Sequence, residues 1–425
     1  MRLRRRLLVT LAATATAAAC RGSGPTAGDT PSDGSSPGDA SAPTLLQALP
    51  RSLTVSERNA AAASGDFSFA LFREVNRRKA NANVFISPLS ASVALAMAAQ
   101  GSAGATELAM RRTLGFPDAT LDAMGAGYHG LLALLVGLDP SVTVKSANAI
   151  WYRNGLPVQP SFVSATQQSF GATVSAANFD DVAGTLNQVN GWAKTQTNGK
   201  IDQVLQDVRK DDLMFLLNAL YFKGSWRDRF DAAATTPASF RSSNGTTSQV
   251  PTMHRQATMR WTRGDGFQAV DLPYGNGAFS MTVLLPDSAH TADALATSLD
   301  ATAWNALVAA LHDTPVQLAL PKFTVTYDDE WKDVLTTLGM GPAFSDAADF
   351  SRMVVGGGVK IDFVRQKAYV DVNEEGTEAA AVTTIGIVPT SAPVTQVMRV
   401  DRPFVFAVRE HLTGAVLFVG KVDQL

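Results

Sequence analysis

The chain has 425 residues and a mass of 44.9 kDa, and 46% of its residues are hydrophobic, which excludes a mainly disordered or fibrous protein. With 36 Lys and Arg against 38 Asp and Glu, the net charge of −2 offers no basic excess for a nucleic-acid backbone, so nucleic acid is not an expected partner. A single cysteine excludes an intrachain disulfide framework and a zinc cage built from cysteines.

The N-terminus has the pattern of an export signal. Four arginines lie within residues 1–6, and residues 7–19 follow without a charge. An apolar stretch of this length is too short to span a bilayer comfortably and is typical of the hydrophobic region of a signal peptide. Three alanines lead directly to Cys20, so residues 1–20 are interpreted as a signal peptide with a lipoprotein-type cysteine.

Two outcomes are open for Cys20. The small residues before it resemble a bacterial lipoprotein signal, in which the cysteine becomes the lipidated first residue, although the best examples have a larger aliphatic residue in place of Ala17. Alternatively, cleavage near the alanines leaves Cys20 as a free thiol. We favour lipidation, since only lipidation explains the cysteine. Both outcomes predict export, either as a membrane-anchored lipoprotein in the periplasm or at the cell surface, or as an extracellular protein.

Residues 21–50 have the composition of a flexible linker. Half of them are Gly, Ser or Pro and none is aromatic, so the segment cannot bury enough surface to fold. As a flexible coil it has a reach of about 30 Å. Because no second stretch of this kind follows, residues 51–425 are expected to form a single domain.

Helix signals come first in this domain. Ser87 and Pro88 form an N-cap and a first-turn proline before an apolar run that ends at Gly101, which predicts a buried helix. Further helices are predicted over 105–114 and around 186–192.

Strand signals dominate the second half. The expected strands are apolar or alternating runs at 213–222, 280–285, 316–327, 367–372, 404–408 and 415–419. Helices early and strands late, without a regular βα repeat, predict an α+β fold rather than a doubly wound one.

Signatures of catalysis are missing from the sequence. None of the five histidines lies in a metal-binding motif, and there is no nucleophile elbow or phosphate-binding loop. The glycine pairs and triplets at 275–277 and 356–358 are interpreted as a hairpin turn and a loop. We therefore do not expect an enzyme, and no metal or cofactor is expected.

The segment 371–390 is unusual inside a compact domain. It begins as a strand, turns acidic at Glu374 and Glu375, bends at Gly376 and continues with small or β-branched residues that have no turn-defined partner. If this segment is extended, one face carries small residues first and larger ones later, at Thr377, Ala379, Ala381, Thr383 and Ile385. Such a face could enter a packed sheet. The alternative is a flexible surface loop, which composition alone favours.

From Asn83 onward the chain resembles the serpin family over nearly the whole domain. The matching stretches, in chain order, are NVFISPLS at 83–90, TNGKI at 197–201, LNALYFKGSW at 217–226, LPYGNGAFSMTVLLP at 272–286, LPKF at 320–323, LGMGPAFSDAADFSRM at 338–353 and NEEGTEAAA at 373–381, followed by RPFVF and LFVGKV. Single motifs such as LPKF are weak, but the joint order and spacing of these stretches are specific.

The resemblance implies a serpin fold: α+β, with a large, mostly antiparallel central sheet, further sheets, surrounding helices and an exposed reactive-centre loop. It also implies a suicide-substrate inhibitor of serine or cysteine proteases. The protease attacks the loop and forms an acyl-enzyme, and the cut loop inserts into the central sheet as a new strand, which traps a covalent 1:1 complex. The inhibitor is then a monomer whose native state is a kinetic trap.

The matching motifs also carry the expected site residues. The hinge of the loop comprises Glu374, Glu375, Gly376, Thr377, Glu378, Ala379, Ala380 and Ala381. The region where the central sheet opens comprises Asn83, Ser87, Pro88, Ser90, Asn218, Trp226 and Gln366. Ser87 is equally well explained as a helix N-cap. Many family members have a histidine in place of Gln366, and glutamine takes no charge, which puts pH-sensitive gating in doubt.

The composition of the hinge favours an inhibitor over a non-inhibitory binding or chaperone-like serpin, which remains the alternative. Residues 377–382 contain one charge, Glu378, and no proline follows until Pro389, so each hinge position can add to a sheet.

The reactive bond is assigned by counting along the loop. Sixteen residues from Glu374 place it between Thr390 and Ser391, while counting back from Pro403 moves it about two residues later, which gives the window 388–393. The window contains no Arg, Lys or aromatic residue, which indicates elastase-like or subtilisin-like targets with a shallow apolar pocket.

Overall fold

The computed structural model describes residues 44–377 and 395–425, together with the backbone of residues 5–15. Within these ranges the helices are α1 (Val55–Arg78), α2 (Pro88–Ala99), α3 (Gly104–Thr113), α4 (Leu121–Gly137), α5 (Pro160–Phe170), α6 (Val182–Gln196), α7 (Ala292–Ser298), α8 (Ala301–Ala310), α9 (Lys332–Leu335) and α10 (Gly341–Phe344). Most helices precede residue 200, as the sequence predicts.

The strands form two sheets. They are β1 (Arg5–Ala15), β2 (Val84–Ile86), β3 (Val142–Arg153), β4 (Thr173–Ala177), β5 (Asp212–Ser225), β6 (Thr236–Arg241), β7 (Thr247–Gly264), β8 (Phe267–Pro273), β9 (Phe279–Pro286), β10 (His312–Pro321), β11 (Phe323–Glu330), β12 (Val359–Val372), β13 (Gly376–Thr377), β14 (Gln396–Arg399), β15 (Phe404–Glu410) and β16 (Val416–Val422). The predicted α+β class is confirmed.

Sheet A is the central sheet. It has seven strands in the order β11-β12-β1-β5-β3-β4, with β13 paired to the end of β5. Sheet B has nine strands in the order β14-β10-β7-β8-β9-β15-β16-β2, with β6 paired to β7. Part of the core lies between the sheets, where the Phe222 ring of β5 meets Phe279 and Phe418 edge-on at 5.7 and 6.5 Å.

Helix α2 forms as its sequence predicts. Ser87 is the N-cap and accepts a hydrogen bond from the Ser90 amide, and Pro88 occupies the first turn. All twelve residues of the helix are buried, because it packs against strands of both sheets. The glycine that follows leaves room for Met353, since a Cβ at Gly101 would lie 2.5 Å from the Met353 Cβ.

The prediction of a single strand over 316–327 is wrong. The run is divided at Lys322 into β10, which belongs to sheet B, and β11, which belongs to sheet A. Pro321 has no amide hydrogen to continue a ladder, and the Lys322 amide donates instead to the Pro251 carbonyl at 2.8 Å. The chain therefore changes sheets at this point.

The segment assigned to the signal peptide has a place in the structure. Residues Arg5–Ala15 form β1, an eleven-residue strand between β5 and β12 that runs parallel to both. Residues 16–43, which include Cys20 and most of the predicted linker, lie outside the described residues. Where the description resumes, Leu46 and Leu49 pack against the core.

In the ranges that the structure describes, no helix is both long and apolar enough to cross a membrane.

Candidate functional site

The hinge turns back from β12 onto the top of β5. The turn at 373–376 is closed by two backbone hydrogen bonds between Asn373 and Gly376, of 3.2 and 3.3 Å. Gly376 and Thr377 then pair antiparallel with Ser225 and Gly224. The first two hinge residues that follow the acidic pair therefore already belong to sheet A.

Gly376 is required by the geometry of this turn. Its φ of 135° lies in a region that residues with a side chain rarely adopt. A Cβ at this position would lie 2.3 Å from the Gly224 carbonyl oxygen. Only glycine allows the hinge to approach β5 this closely.

Thr377 is bound in a buried polar contact. Its side chain is 0% exposed, and its hydroxyl lies 2.9 Å from the Tyr274 hydroxyl. Burial raises the pKa of the Tyr274 phenol well above its usual range, so the phenol stays neutral and either group can donate. Both hydroxyls are satisfied by the same hydrogen bond.

Two stacked aromatic side chains lie next to the turn at 373–376. The rings of Trp226 and Tyr274 stack with centroids 4.5 Å apart. The Trp226 indole N–H donates to the Asn373 carbonyl at 2.8 Å, and the Trp226 backbone amide donates to the Glu375 carbonyl at 2.9 Å. Trp226 therefore binds the turn at both of its ends.

Glu374 joins the hinge to a neighbouring strand connection. Its carboxylate lies 2.8 Å from the Lys322 ammonium and accepts a hydrogen bond of 2.8 Å from the Thr235 hydroxyl. Burial alone would raise the pKa of Glu374, but the hydrogen bonds, chiefly from Lys322, outweigh it and lower the pKa. We name Trp226, Thr235, Tyr274 and Lys322 the hinge site.

The lowered pKa of Glu374 predicts a pH-dependent hinge. Its contribution to stability is complete above the unfolded-state value, about 4.3, and is lost as the pH falls through the lower folded-state value. We expect acidification below about pH 4 to loosen the turn and change the fluorescence of Trp226. Emission spectra between pH 7 and pH 3 measure this change.

Two matched variants identify the carboxylate responsible. Glu374→Gln should remove the acid-induced change in emission, because the amide does not titrate. Glu375→Gln, which leaves the pair with Lys322 intact, should keep it. An unaltered acid response in Glu374→Gln would show that another group controls the hinge.

A second cluster lies beneath the middle of sheet A. The Asn218 side chain on β5 donates to the Asn148 side-chain oxygen on β3 at 2.6 Å, and the Ser90 hydroxyl on α2 donates to the Asn218 side-chain oxygen. Asn148 in turn donates to the Phe170 carbonyl at 2.6 Å. We name Ser90, Asn148 and Asn218 the amide cluster; all three are buried, and they join α2 to two strands.

Gln366 fixes β12 to the start of α2. Its side-chain oxygen accepts from the Ser87 amide at 2.8 Å, and its side-chain nitrogen donates to the Ser87 carbonyl at 3.0 Å. The Ser87 hydroxyl donates to the Leu417 carbonyl at 2.8 Å. A glutamine amide supplies the required acceptor and donor together.

Replacing Gln366 by glutamate should make stability depend on pH. A carboxylate can accept from the Ser87 amide but cannot donate to the Ser87 carbonyl, so the folded protein raises the pKa of the new group above about 4.3. The stabilisation by the neutral carboxyl group is complete below about 4.3, the unfolded-state pKa. It is lost as the pH rises through the higher folded-state pKa. We expect Gln366→Glu to unfold faster than the parent at pH 7 and at a similar rate near pH 4.

The control for this prediction is Gln366→Met, which cannot form either hydrogen bond at any pH. Its unfolding rate should exceed that of the parent by a similar factor at both pH values. A Gln366→Glu variant that behaves like Gln366→Met would contradict the proposed pairing with Ser87.

The structure separates the predicted site residues into groups. Ser87, Pro88, Ser90, Asn218 and Gln366 lie together around the start of α2, whereas Trp226 lies at the hinge site. Asn83 belongs to neither group, because its side chain binds the backbone amides of residues 423 and 424 at 2.6 and 2.9 Å. Cys20, hinge residues 378–381 and the bond between Thr390 and Ser391 lie outside the described residues.

Four residues of these sites were not predicted from the sequence. They are Asn148, Thr235, Tyr274 and Lys322. Tyr274 and Thr377 are 103 positions apart, and no local pattern connects them. Among the described residues, no group of three or more His, Cys, Asp or Glu could hold a metal ion.

The chain is similar to known proteins over most of its length. A family profile described as "Serpin (serine protease inhibitor)" matches residues 62–425. An uncharacterized serpin-like protein of Thermococcus kodakarensis is 31% identical, with 86% of each chain covered. Iripin-3 of Ixodes ricinus is 34% identical over 81% of this chain and 89% of its own. Human corticosteroid-binding globulin is 30% identical over 86% of this chain and 90% of its own.

Solved structures show the same similarity. The thermophilic serpin Tengpin in its native state superposes with a TM-score of 0.78 at 27% identity, covering 90% of this chain and 97% of its own. Human thyroxine-binding globulin, solved in complex with thyroxine, gives a TM-score of 0.79 at 25% identity, covering 87% of this chain and 99% of its own.

Proposed function

This chain belongs to the serpin family, and we propose that it is a suicide-substrate inhibitor of serine or cysteine proteases. Members of this family are in general protease inhibitors rather than enzymes. The observation that carries the proposal is the pairing of Gly376 and Thr377 with β5. These two residues pair with β5 at the position from which the proposed insertion would proceed.

Inhibition would follow from the direction of this pairing. A protease nucleophile attacks the Thr390 carbonyl, the peptide bond breaks, and the amine of Ser391 takes a proton and leaves. An ester, or a thioester with a cysteine protease, then joins Thr390 to the enzyme. As the freed loop adds to β5 from Thr377 onward, it carries the attached protease along sheet A and deforms its active site. Hydrolysis of the acyl bond then stalls.

The target class follows from the window 388–393. Its small, aliphatic and hydroxylated residues fit a shallow apolar pocket, as in elastase-like and subtilisin-like proteases. Trypsin-like enzymes require a cation that the window lacks.

A non-inhibitory binding protein is the second candidate. Two relatives of this chain carry the names of hormone-binding globulins, and a cavity of about 350 Å³ lies next to the hinge site, with Arg260, Leu272 and His411 in its wall. A small amphipathic ligand would fit a cavity of this size. The hinge favours the inhibitor, because no proline lies between Thr377 and Pro389 and Glu378 is the single charge in that stretch.

The proposed function is tested by mixing the protein, recovered after export, with an elastase and with a subtilisin. We expect a covalent complex that survives denaturing electrophoresis with at least one of them, and none with trypsin. Cleavage of the loop by both enzymes without any such complex would favour the non-inhibitory alternative.

Anchoring through Cys20 remains a proposal. Serpins are in general secreted or extracellular, and a lipid on Cys20 would hold this one at a membrane surface. We expect Cys20→Ser to move the exported protein from the membrane fraction to the soluble fraction. The measurement is partitioning into the detergent phase, with Ser23→Ala as a matched control three residues away. Equal partitioning of the Cys20→Ser variant and the parent would refute the anchor.

A further inference from the structure

The space between β5 and β12 is occupied in this structure. Strand β1 lies there over eleven residues, and its pairs with β12 run from Arg5 opposite Val359 to Ala15 opposite Val370. On its other side it pairs with β5 as far as Ala15 opposite Phe222. Both edges of β1 are therefore in ladders, and it separates β5 from β12 along almost their whole length.

The register of the hinge shows what β1 prevents. Gly376 lies opposite Ser225 and Thr377 opposite Gly224, so an antiparallel continuation would place Glu378 opposite residue 223 and Ala379 opposite Phe222. Phe222 is already the partner of Ala15. Strand β1 therefore blocks insertion from Ala379 onward, two residues after Thr377.

The direction of β1 shows that β1 and the inserted loop cannot pair with β5 as one continuous strand. It runs parallel to β5, whereas the hinge pairs with β5 antiparallel. An inserted loop needs the same edge of β5, and one strand edge accepts only one partner strand. The segment 5–15 must leave the sheet before the loop can occupy it.

We propose that the predicted signal segment is an intramolecular block on inhibition. In the precursor, residues 5–15 fill the place that the cut loop requires, and removal of the leader during export opens it. This inference rests on the proposed function. A protease that attacks the precursor completes the reaction, because the loop cannot insert before the acyl bond is hydrolysed. The inhibitor is thereby active only outside the compartment in which it is made.

The test uses full-length chains with two prolines in β1. Thr10→Pro with Ala13→Pro removes two backbone donors, and residues an odd number apart direct their N–H groups to opposite edges of a strand. The double variant should therefore lose both ladders. Thr10→Ser with Ala13→Ser, which keeps both N–H groups, is the matched control.

Two readouts separate this inference from the proposed function. Hydrogen exchange of the β5 amides at 214–222 should be at least about tenfold faster in the proline variant than in the parent and the serine control. With an elastase or subtilisin, the proline variant should form the covalent complex, while the other two are cleaved without complex. Equal exchange in all three chains, or a covalent complex that all three chains form to the same extent, overturns the block. Faster exchange with no complex in any chain supports the block and contradicts the proposed function.

Discussion

Replacing Thr377 with arginine should convert the protein from an inhibitor into a substrate. Thr377 is fully buried against Tyr274, so an arginine would displace residues 376 and 377 from β5 in the native state. Insertion would then have to bury the guanidinium without a partner, at a cost of several kcal/mol. Each 1.36 kcal/mol added to the barrier for insertion slows it tenfold. We therefore expect the ratio of trapped to hydrolysed acyl-enzyme to fall at least about tenfold. Denaturing electrophoresis of the exported protein with its target measures this ratio.

Two controls test whether the effect is due to the buried charge. Thr377→Ser keeps the hydroxyl and should inhibit nearly as well as the parent. Thr377→Val removes only the hydrogen bond with Tyr274, and should have an effect between those of serine and arginine. Unchanged inhibition by Thr377→Arg would contradict insertion of the hinge.

Removing the side chain of Asn218 should destabilise the native state strongly. Asn218→Ala leaves the Ser90 hydroxyl and the Asn148 amide of the amide cluster without this partner, at about 1–3 kcal/mol for each unsatisfied group. Because the proposed mechanism requires a native state that is a kinetic trap, the relevant quantity is a rate rather than an equilibrium. We expect inhibitory activity at 37 °C to be lost much faster than in the parent.

The matched control is Asn305→Ala, an exposed asparagine on α8. It should lose activity at the parent's rate. If Asn218→Ala also matches the parent, the amide cluster does not stabilise the native state.

Structure was predicted best where its determinants are local. Helix α2 has its cap, its first-turn proline and its apolar residues within a short stretch, and the structure places it at Pro88–Ala99. Strand β5 was equally clear, because a run buried on both faces is apolar throughout.

The failures of prediction come from contacts between distant residues. Period-two patterns lie on both sides of Lys322, but the buried positions shift by one residue, from Val316, Leu318 and Leu320 to Phe323, Val325 and Tyr327, and the prediction of one strand overlooked this shift. The place of residues 5–15 between β5 and β12 was not predicted, because the composition of the run at 7–19 contains no information about distant strands, and the signal-peptide interpretation stays a prediction. Asn148 and Tyr274 escaped notice because their partners lie 70 and 103 residues away.

The two buried sites are connected by β5, which carries both the pairing partners of the hinge and Asn218. The amide cluster and the contact of Gln366 with Ser87 are both formed while β1 lies between β5 and β12. They therefore fix α2 to both strands with the position between the strands occupied.

In the proposed mechanism the loop is cut once and then inserted with the protease attached. Mass spectrometry of the exported protein in covalent complex with an elastase or subtilisin tests it most directly. We expect a complex whose mass is the sum of both proteins less the released C-terminal fragment, and a fragment that begins at Ser391. A fragment that begins outside 388–393 would contradict the assigned bond, and cleavage without any covalent complex would contradict the mechanism itself.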